Sequence, residues 1–263
     1  MDDARASRRS IFDRIVCGVD GTPASLVAVR QALRLRDPDG SVHLAAAVHL
    51  AEAAHAGIAA SRAARQLRGE AETALADARA IAGSATSKLV DGEPGAVLLR
   101  EAEAERATVL AVGSHGRRRA AGVLLGTVAA RVLRDAECSV LLAREARDDE
   151  TWPRAVVVGV DGSAGSAVAV AVARSLAERF GGTVRALASV KDDVDTEAAR
   201  AIAPDLDEQP GRAVEALAAA SEAADLVVVG SRGLHGLRAL GSVSERVAHQ
   251  ARSSVLVVRS AEV

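Results

Sequence analysis

The residues best suited to chemistry are glycines and hydroxyls in the stretch from Val109 to Ser139. Val109-Leu110-Ala111-Val112-Gly113 is a short apolar run closed by glycine, the pattern of a buried strand. Ser114-His115-Gly116 follows, then an arginine-rich segment, then Gly126-Thr127 and a run in which Val128, Val132 and Leu133 recur at helical spacing. Strand, glycine-rich loop and helix in that order can hold an anion. Gly113, Gly116 and Gly126 let backbone approach a ligand with no side chain between. Thr127 is placed to cap a helix whose free N–H groups attract negative charge. The chemistry is that of a phosphate-binding turn containing no lysine. The same loop would also serve as a plain tight turn after a parallel strand.

A second candidate lies near the start of the chain. Ile15-Val16-Cys17-Gly18-Val19 ends in Asp20-Gly21-Thr22, and Val156 to Val160 ends in Asp161-Gly162-Ser163, 141 positions later. Asp in such a turn is an ordinary helix N-cap residue. If the strand order is 3-2-1-4-5, however, Asp20 ends strand one and Gly113 ends strand four, its neighbour. Ligands bind outside the carboxyl ends of strands at that switch point.

The elements that must position these residues occur twice. Gly113-Ser114-His115-Gly116 returns as Gly230-Ser231-Arg232-Gly233, and Ser139-Val140-Leu141 as Ser254-Val255-Leu256. The offset falls from 141 to 117 and then to 115, so the second copy is shortened in two places. A period above 100 residues marks tandem domains rather than a solenoid. We expect a first domain over 11–147 and a shortened second domain over 152–261, joined by the polar Asp148-Asp149-Glu150.

In the first copy, strands are predicted near 12–19, 41–49, 86–91, 108–113 and 138–144, and helices near 23–36, 52–82, 94–105 and 126–135. In the second, strands fall near 154–160, 183–190, 225–230 and 254–259, with helices near 164–180, 210–222 and 242–252. Strands alternating with helices call for an α/β fold with a parallel sheet covered on both faces. Most of the helix between strands two and three is missing from the second copy. Only Lys191 to about Glu197 separates those strands, so either a very short helix survives near 195–201 or the third strand is poorly formed.

Val19-Asp20-Gly21-Thr22, Val112-Gly113-Ser114-His115-Gly116, Gly126-Thr127-Val128 and the closing Cys138-Ser139-Val140-Leu141 resemble, in order and spacing, the signature of the universal stress protein family. The second copy resembles it throughout. The resemblance implies two tandem Rossmann-like domains, each a mostly parallel five-stranded sheet of order 3-2-1-4-5, and in one branch bound ATP, with or without Mg2+. On that resemblance Asp20 contacts adenine or ribose, with Val19, Gly21 and Thr22 beside it. Gly113, His115, Gly116, Gly126 and Thr127 hold ribose and phosphates, flanked by Val112 and Val128. Ala46 to Val48, at the end of strand two, line the adenine pocket. The corresponding second set is Val160, Asp161, Gly162 and Ser163, then Val229, Gly230, Arg232 and Gly233, then Gly241, Ser242, Val243 and Ser244. This loop departs from the pattern: seven residues separate Gly233 from Gly241, against nine between Gly116 and Gly126.

Composition narrows the function classes. The chain has 263 residues, 49% hydrophobic and 26% charged, with a formal net charge of −2, which argues against a nucleic-acid surface. One Trp, two Phe and no Tyr leave no stacking platform for single strands. There is no 18-residue apolar run for a membrane helix and no apolar leader at Met1 to Ser10. Two cysteines without metal-ligand neighbours suit a reducing compartment, so a cytoplasmic protein is expected. His43, His49 and His55, six residues apart, share no helical face. Arg117-Arg118-Arg119 reads as a solvated loop tip or a set of phosphate contacts.

Three function classes follow. The first is an ATP-binding stress-response or signalling module without rapid hydrolysis, because a loop lacking lysine, general base and magnesium carboxylates would bind phosphate but turn it over poorly. The second is a slow ATPase, and the third an interaction scaffold with empty sites. The apolar runs 138–144 and 254–259 are edge strands in the proposed order. They are expected to pair with each other as an intramolecular pseudo-dimer, the competing arrangements being that each edge is covered by a helix or pairs with a second chain.

Overall fold

A computed structural model of the chain describes residues 10–49, 60–115, 125–191, 194–231 and 243–259. The first copy runs β1 (Arg14–Gly18), α1 (Pro23–Leu35), β2 (Ser41–Val48), α2 (Ala60–Ala82), β3 (Thr86–Asp91), α3 (Pro94–Ala104), β4 (Val109–Gly113), α4 (Thr127–Asp135) and β5 (Ser139–Ala143). The second runs β6 (Ala155–Gly159), α5 (Ala164–Phe180), β7 (Thr183–Ser189), α6 (Thr196–Ile202), β8 (Asp207–Gln209), α7 (Ala213–Ala220), β9 (Leu226–Gly230), α8 (Val243–Gln250) and β10 (Ser254–Val258).

The ten strands form one sheet of order β3-β2-β1-β4-β5-β10-β9-β6-β7-β8. Counted within its own copy, each half has the order 3-2-1-4-5, and its pairings are parallel. The halves meet where β10 pairs antiparallel with β5, in the register Val255↔Leu142, Leu256↔Leu141 and Val257↔Val140. The two apolar edges therefore satisfy each other's backbone groups, which exposed edges would leave open to other strands.

Alternation along the strands builds two cores. Ile15, Cys17, Leu141, Ala143, Leu256 and Val258 face α1, α2, α5 and α6. Val16, Val140, Leu142, Val255 and Val257 face α3, α4, α7 and α8. Each layer continues across the seam. Burying one such Leu or Val contributes about 1.5–3 kcal/mol, so the seam is held by packing as much as by its ladder.

Helix starts follow local chemistry. Thr22 caps α1 by accepting from the Ser25 N–H, with Pro23 in the first turn, and Ser163 caps α5 through the Ser166 N–H. Gly181, at φ 62°, ends α5 in the left-handed conformation.

The shortened crossover differs from expectation. Both alternatives hold at once: the short helix survives as α6, and the third strand is reduced to the three residues of β8. The connection is longer than predicted because β8 begins only at Asp207. Asp207-Glu208-Gln209 has no apolar alternation to announce a strand; it is defined by pairing with Leu187, Ala188 and Ser189 of β7. The expected start of the long helix, 52–59, lies outside the described residues, and α2 is described from Ala60.

Candidate functional site

The chain leaves β1 for α1 on one face and β4 for α4 on the other, and the two strands are neighbours. Their carboxyl ends therefore open a crevice, flanked by Asp20–Thr22 on one side and Gly113–His115 on the other.

Asp20 builds its own turn. Its Oδ1 accepts from the Thr22 N–H at 2.9 Å and from the Thr22 hydroxyl at 2.6 Å. Gly21 sits at φ 77°, where a side chain would strain the backbone. The second copy repeats this: Asp161 Oδ1 accepts from the Ser163 N–H at 3.1 Å and its hydroxyl at 2.5 Å, across Gly162 at φ 82°. The carboxylate orders the turn, and Asp20 remains exposed at the crevice.

Strand β2 overhangs this crevice. Gly18 is in register with Ala45, so Ala46 to Val48 extend beyond the end of β1. Both Ala46 and Val48 are buried, and the Val48 carbonyl accepts from the Gly92 N–H at 3.0 Å. Val19, Val112, Val160 and Val229 also turn their side chains into the cores, so any ligand contact they make is through backbone.

Gly113 has a packing role. A Cβ on it would lie 2.8 Å from the Ala24 carbonyl carbon and 2.9 Å from the Ala24 carbonyl oxygen. The missing side chain lets the first turn of α1 abut the end of β4. Gly230 does the same against Gly165, whose carbonyl carbon would be 2.5 Å from its Cβ.

The next residue, Ser114, cinches the loop at its base. Its N–H donates to the Ala143 carbonyl at 3.0 Å, its carbonyl accepts from the Gly126 N–H at 2.8 Å, and its Oγ lies 3.0 Å from His115 Nδ1. Gly116 and Arg117–Arg119 lie outside the described residues, as do Arg232, Gly233, Gly241 and Ser242 of the second loop. The described root of that loop is equivalent, with the Ser231 N–H donating to the Val258 carbonyl at 2.9 Å. Val243 and Ser244 open α8, partly buried.

Thr127 does not cap α4. The N-cap is Gly126, in extended conformation, and it offers no side chain to the helix. Its N–H donates to the Ser114 carbonyl, the helix starts one residue earlier than a Thr127 cap would give, and Thr127 is exposed in the first turn, with Val128 partly packed on the core. Among the described residues the first-turn N–H groups of α4 have no side-chain cap. An anion would satisfy them.

A pair that the sequence reading passed over borders the same crevice. Glu93 caps α3 through the Gly95 and Ala96 N–H groups and ion-pairs with Arg131 on α4. Arg131 Nε is also 3.7 Å from Asp135. Partial burial alone would raise the Glu93 carboxyl, but the Ala96 and Gly95 N–H groups, then Arg131 and His49, outweigh it and hold the carboxyl below its ordinary value. Pro94-Gly95 was legible as a helix start; the pairing of Glu93 with a residue 38 positions on was not.

The second crevice is charged differently. By position, Arg212 stands where the first copy has Glu93, Arg246 where it has Arg131, and Gln250 where it has Asp135. Arg212 caps α7 with no side-chain bond. The first turn of α6 also rests on the Asp161 turn, since a Cβ on Gly162 would meet the Asp195 carbonyl oxygen at 2.8 Å.

Among the described residues no three His, Cys, Asp or Glu side chains are grouped to hold a metal ion, and no helix is long and apolar enough to cross a membrane. The arrangement offers an exposed carboxylate, a hydroxyl and uncapped N–H groups around one opening. Those groups fit a ligand with donors at one end and phosphate at the other.

Comparison with known proteins places the chain in a family. The universal stress protein family matches residues 11–144 and 191–259. Universal stress protein Rv2623 of Mycobacterium tuberculosis is 31% identical over 286 aligned positions, covering 93% of this chain and 96% of its own. Universal stress protein Rv2005c of the same organism is 33% identical, over 58% of this chain and 62% of its own. Among solved structures, a universal stress protein from Archaeoglobus fulgidus superimposes with a TM-score of 0.75 at 19% identity, covering 96% of this chain and 99% of that one.

Proposed function

Because the chain belongs to the universal stress protein family, we propose that its first crevice binds an adenine nucleotide, ATP in particular, and that it works as a nucleotide-linked stress-response or signalling module without rapid hydrolysis. The observation that carries this reading is the uncapped start of α4, fixed beside the end of β4 by the Gly126–Ser114 bond. Three parallel N–H groups and the helix dipole favour phosphate there, and the exposed Thr127 hydroxyl adds a donor.

The remaining groups follow from that anchor. Asp20, already accepting from Thr22, presents a carboxylate to the hydroxyls of a ribose or the amine of adenine. Ala46 to Val48 form the overhang against which the base would rest. Arg131, on α4 one turn from its start, is tied to Glu93 and Asp135, so it supports α4 rather than the phosphoryl group. That division of labour supports binding without fast phosphoryl transfer.

The test is direct. The purified protein is acid-treated and the released small molecules are separated on an anion-exchange column. Calorimetry with ATP follows on the stripped protein. Released adenine nucleotide, or saturable heat at sub-millimolar ATP, is expected. Neither release nor heat at millimolar ATP would reduce the chain to an interaction scaffold, and rapid phosphate release would make it an ATPase.

A further inference from the structure

The seam between the copies carries two arginines that exchange places. Arg144 follows β5 and is buried; its Nη1 donates to the Ser253 carbonyl at 3.1 Å and its Nη2 to the Ala248 carbonyl, in the last turn of α8, at 2.5 Å. Arg259 follows β10, and its Nη2 donates to the Leu133 carbonyl, in the last turn of α4, at 2.5 Å. The backbone is crossed in the same way: the Arg144 N–H donates to Ser254 Oγ at 3.0 Å and the Arg259 N–H to Ser139 Oγ at 3.1 Å. Each arginine thus holds the carboxyl end of a helix in the other copy, where orphan carbonyls and the negative pole of the dipole favour a cation.

Each arginine is also one residue from the base of its own copy's loop. The Ala143 carbonyl, preceding Arg144, receives the Ser114 N–H, and the Val258 carbonyl, preceding Arg259, receives the Ser231 N–H. The held helices are the ones whose other ends start the phosphate sites. At nine residues α4 is about 13 Å long and moves as a rod, so a shift at Leu133 is felt at Gly126. Stability alone is a poor account of these side chains. Burial pushes the Arg144 guanidinium down to about 10 and lowers that of Arg259, whose Nε and Nη1 are buried with no partner among the described residues.

We propose that Arg144 and Arg259 are positioning residues that couple the two crevices, each tying the loop base of its own copy to the phosphate helix of the other. The proposal rests on the nucleotide reading above. Occupancy of one crevice then changes affinity at the other, and the factor is the same in both directions.

Photolabelling with an azido-adenine triphosphate, read out peptide by peptide in a mass spectrometer, reports each crevice separately. Arg259→Gln should raise the half-labelling concentration of first-copy peptides about five-fold or more and leave second-copy peptides less affected. Arg144→Gln should show the reverse, and Arg259→Lys should fall between wild type and Arg259→Gln. Circular dichroism melts establish that each variant is folded. If Arg144→Gln does not fold, the partly exposed Arg259 decides, with Arg259→Lys as its second variant; a wild type in which only first-copy peptides label leaves no second occupancy to couple and overturns the coupling. A merely structural role would lower the melting point and shift both crevices alike. That result, an effect confined to the variant's own copy, or no shift in a folded variant overturns the coupling. A wild-type chain that labels in neither copy fails at the earlier step: it removes the nucleotide reading and the coupling with it.

Discussion

Replacing Gly113 by alanine tests whether that glycine serves packing or phosphate. The added methyl would be 2.8 Å from the Ala24 carbonyl carbon and 2.9 Å from both the Ala24 Cβ and oxygen. Carbon atoms pack best at about 3.5–4.0 Å, so the first turn of α1 must retreat by roughly 0.7 Å from the end of β4. The obstacle is backbone and cannot rotate away. Overpacking of this kind costs about 1–3 kcal/mol. At about 2–4 °C per kcal/mol for a chain of this size, the melting point should fall by roughly 2–12 °C. Gly230→Ala should cost more, because its Cβ would come within 2.5 Å of Gly165 backbone. Urea titrations followed by circular dichroism give both values under one condition. Gly126→Ala is the comparison: at φ −76° an alanine is unstrained in backbone there, and the helix N-cap preference amounts to at most about 1 kcal/mol. Wild-type stability in Gly113→Ala, or a smaller loss in Gly230→Ala than in Gly113→Ala, would refute the packing argument and return Gly113 to the ligand.

Two further outcomes concern titratable groups. The Glu93 carboxyl lies below its ordinary value in the folded chain, so it contributes stability above the unfolded value and loses it as pH falls through the folded one. Wild type and Glu93→Gln should therefore differ by a constant melting-point gap near neutrality that closes in acid; a gap that widens in acid contradicts the assignment. Burial pushes the Cys17 thiol up to about 12 and that of Cys138 to about 11, and strand β4 stands between β1 and β5. Native protein at pH 8 should resist a thiol-disulfide reagent while unfolded protein reacts at both positions, and an intramolecular bridge in a non-reducing mass spectrum would contradict the strand order.

The period of the apolar residues determined a large share of this molecule. Val109 to Gly113 and Val140 to Leu142 read as buried strands because they are short apolar runs beside punctuating residues, and they are strands. The duplication was visible because both copies solve the same local problem with the same residues: Asp-Gly-hydroxyl at the first turn, glycine at the close of strand four. The short strand β8 was not visible. Its residues carry no periodic signal, and only pairing with β7 makes them a strand.

Tertiary structure decided what several of those legible residues are for. Sequence showed that Gly113 lacks a side chain, but only the position of α1 shows what fills the space. Sequence put Thr127 next to Gly126, but the bond from Gly126 to Ser114 determines which of them begins the helix. Glu93 and Arg131, and then Arg144 and Arg259 with carbonyls more than 100 residues away, meet only because parallel crossovers return the chain to one sheet and β5 meets β10. Local pattern reports the free energy of a segment against solvent, and that energy depends on nearby residues alone. Partnership between distant charges and backbone groups depends on where the whole chain closes, and no short window of sequence contains it.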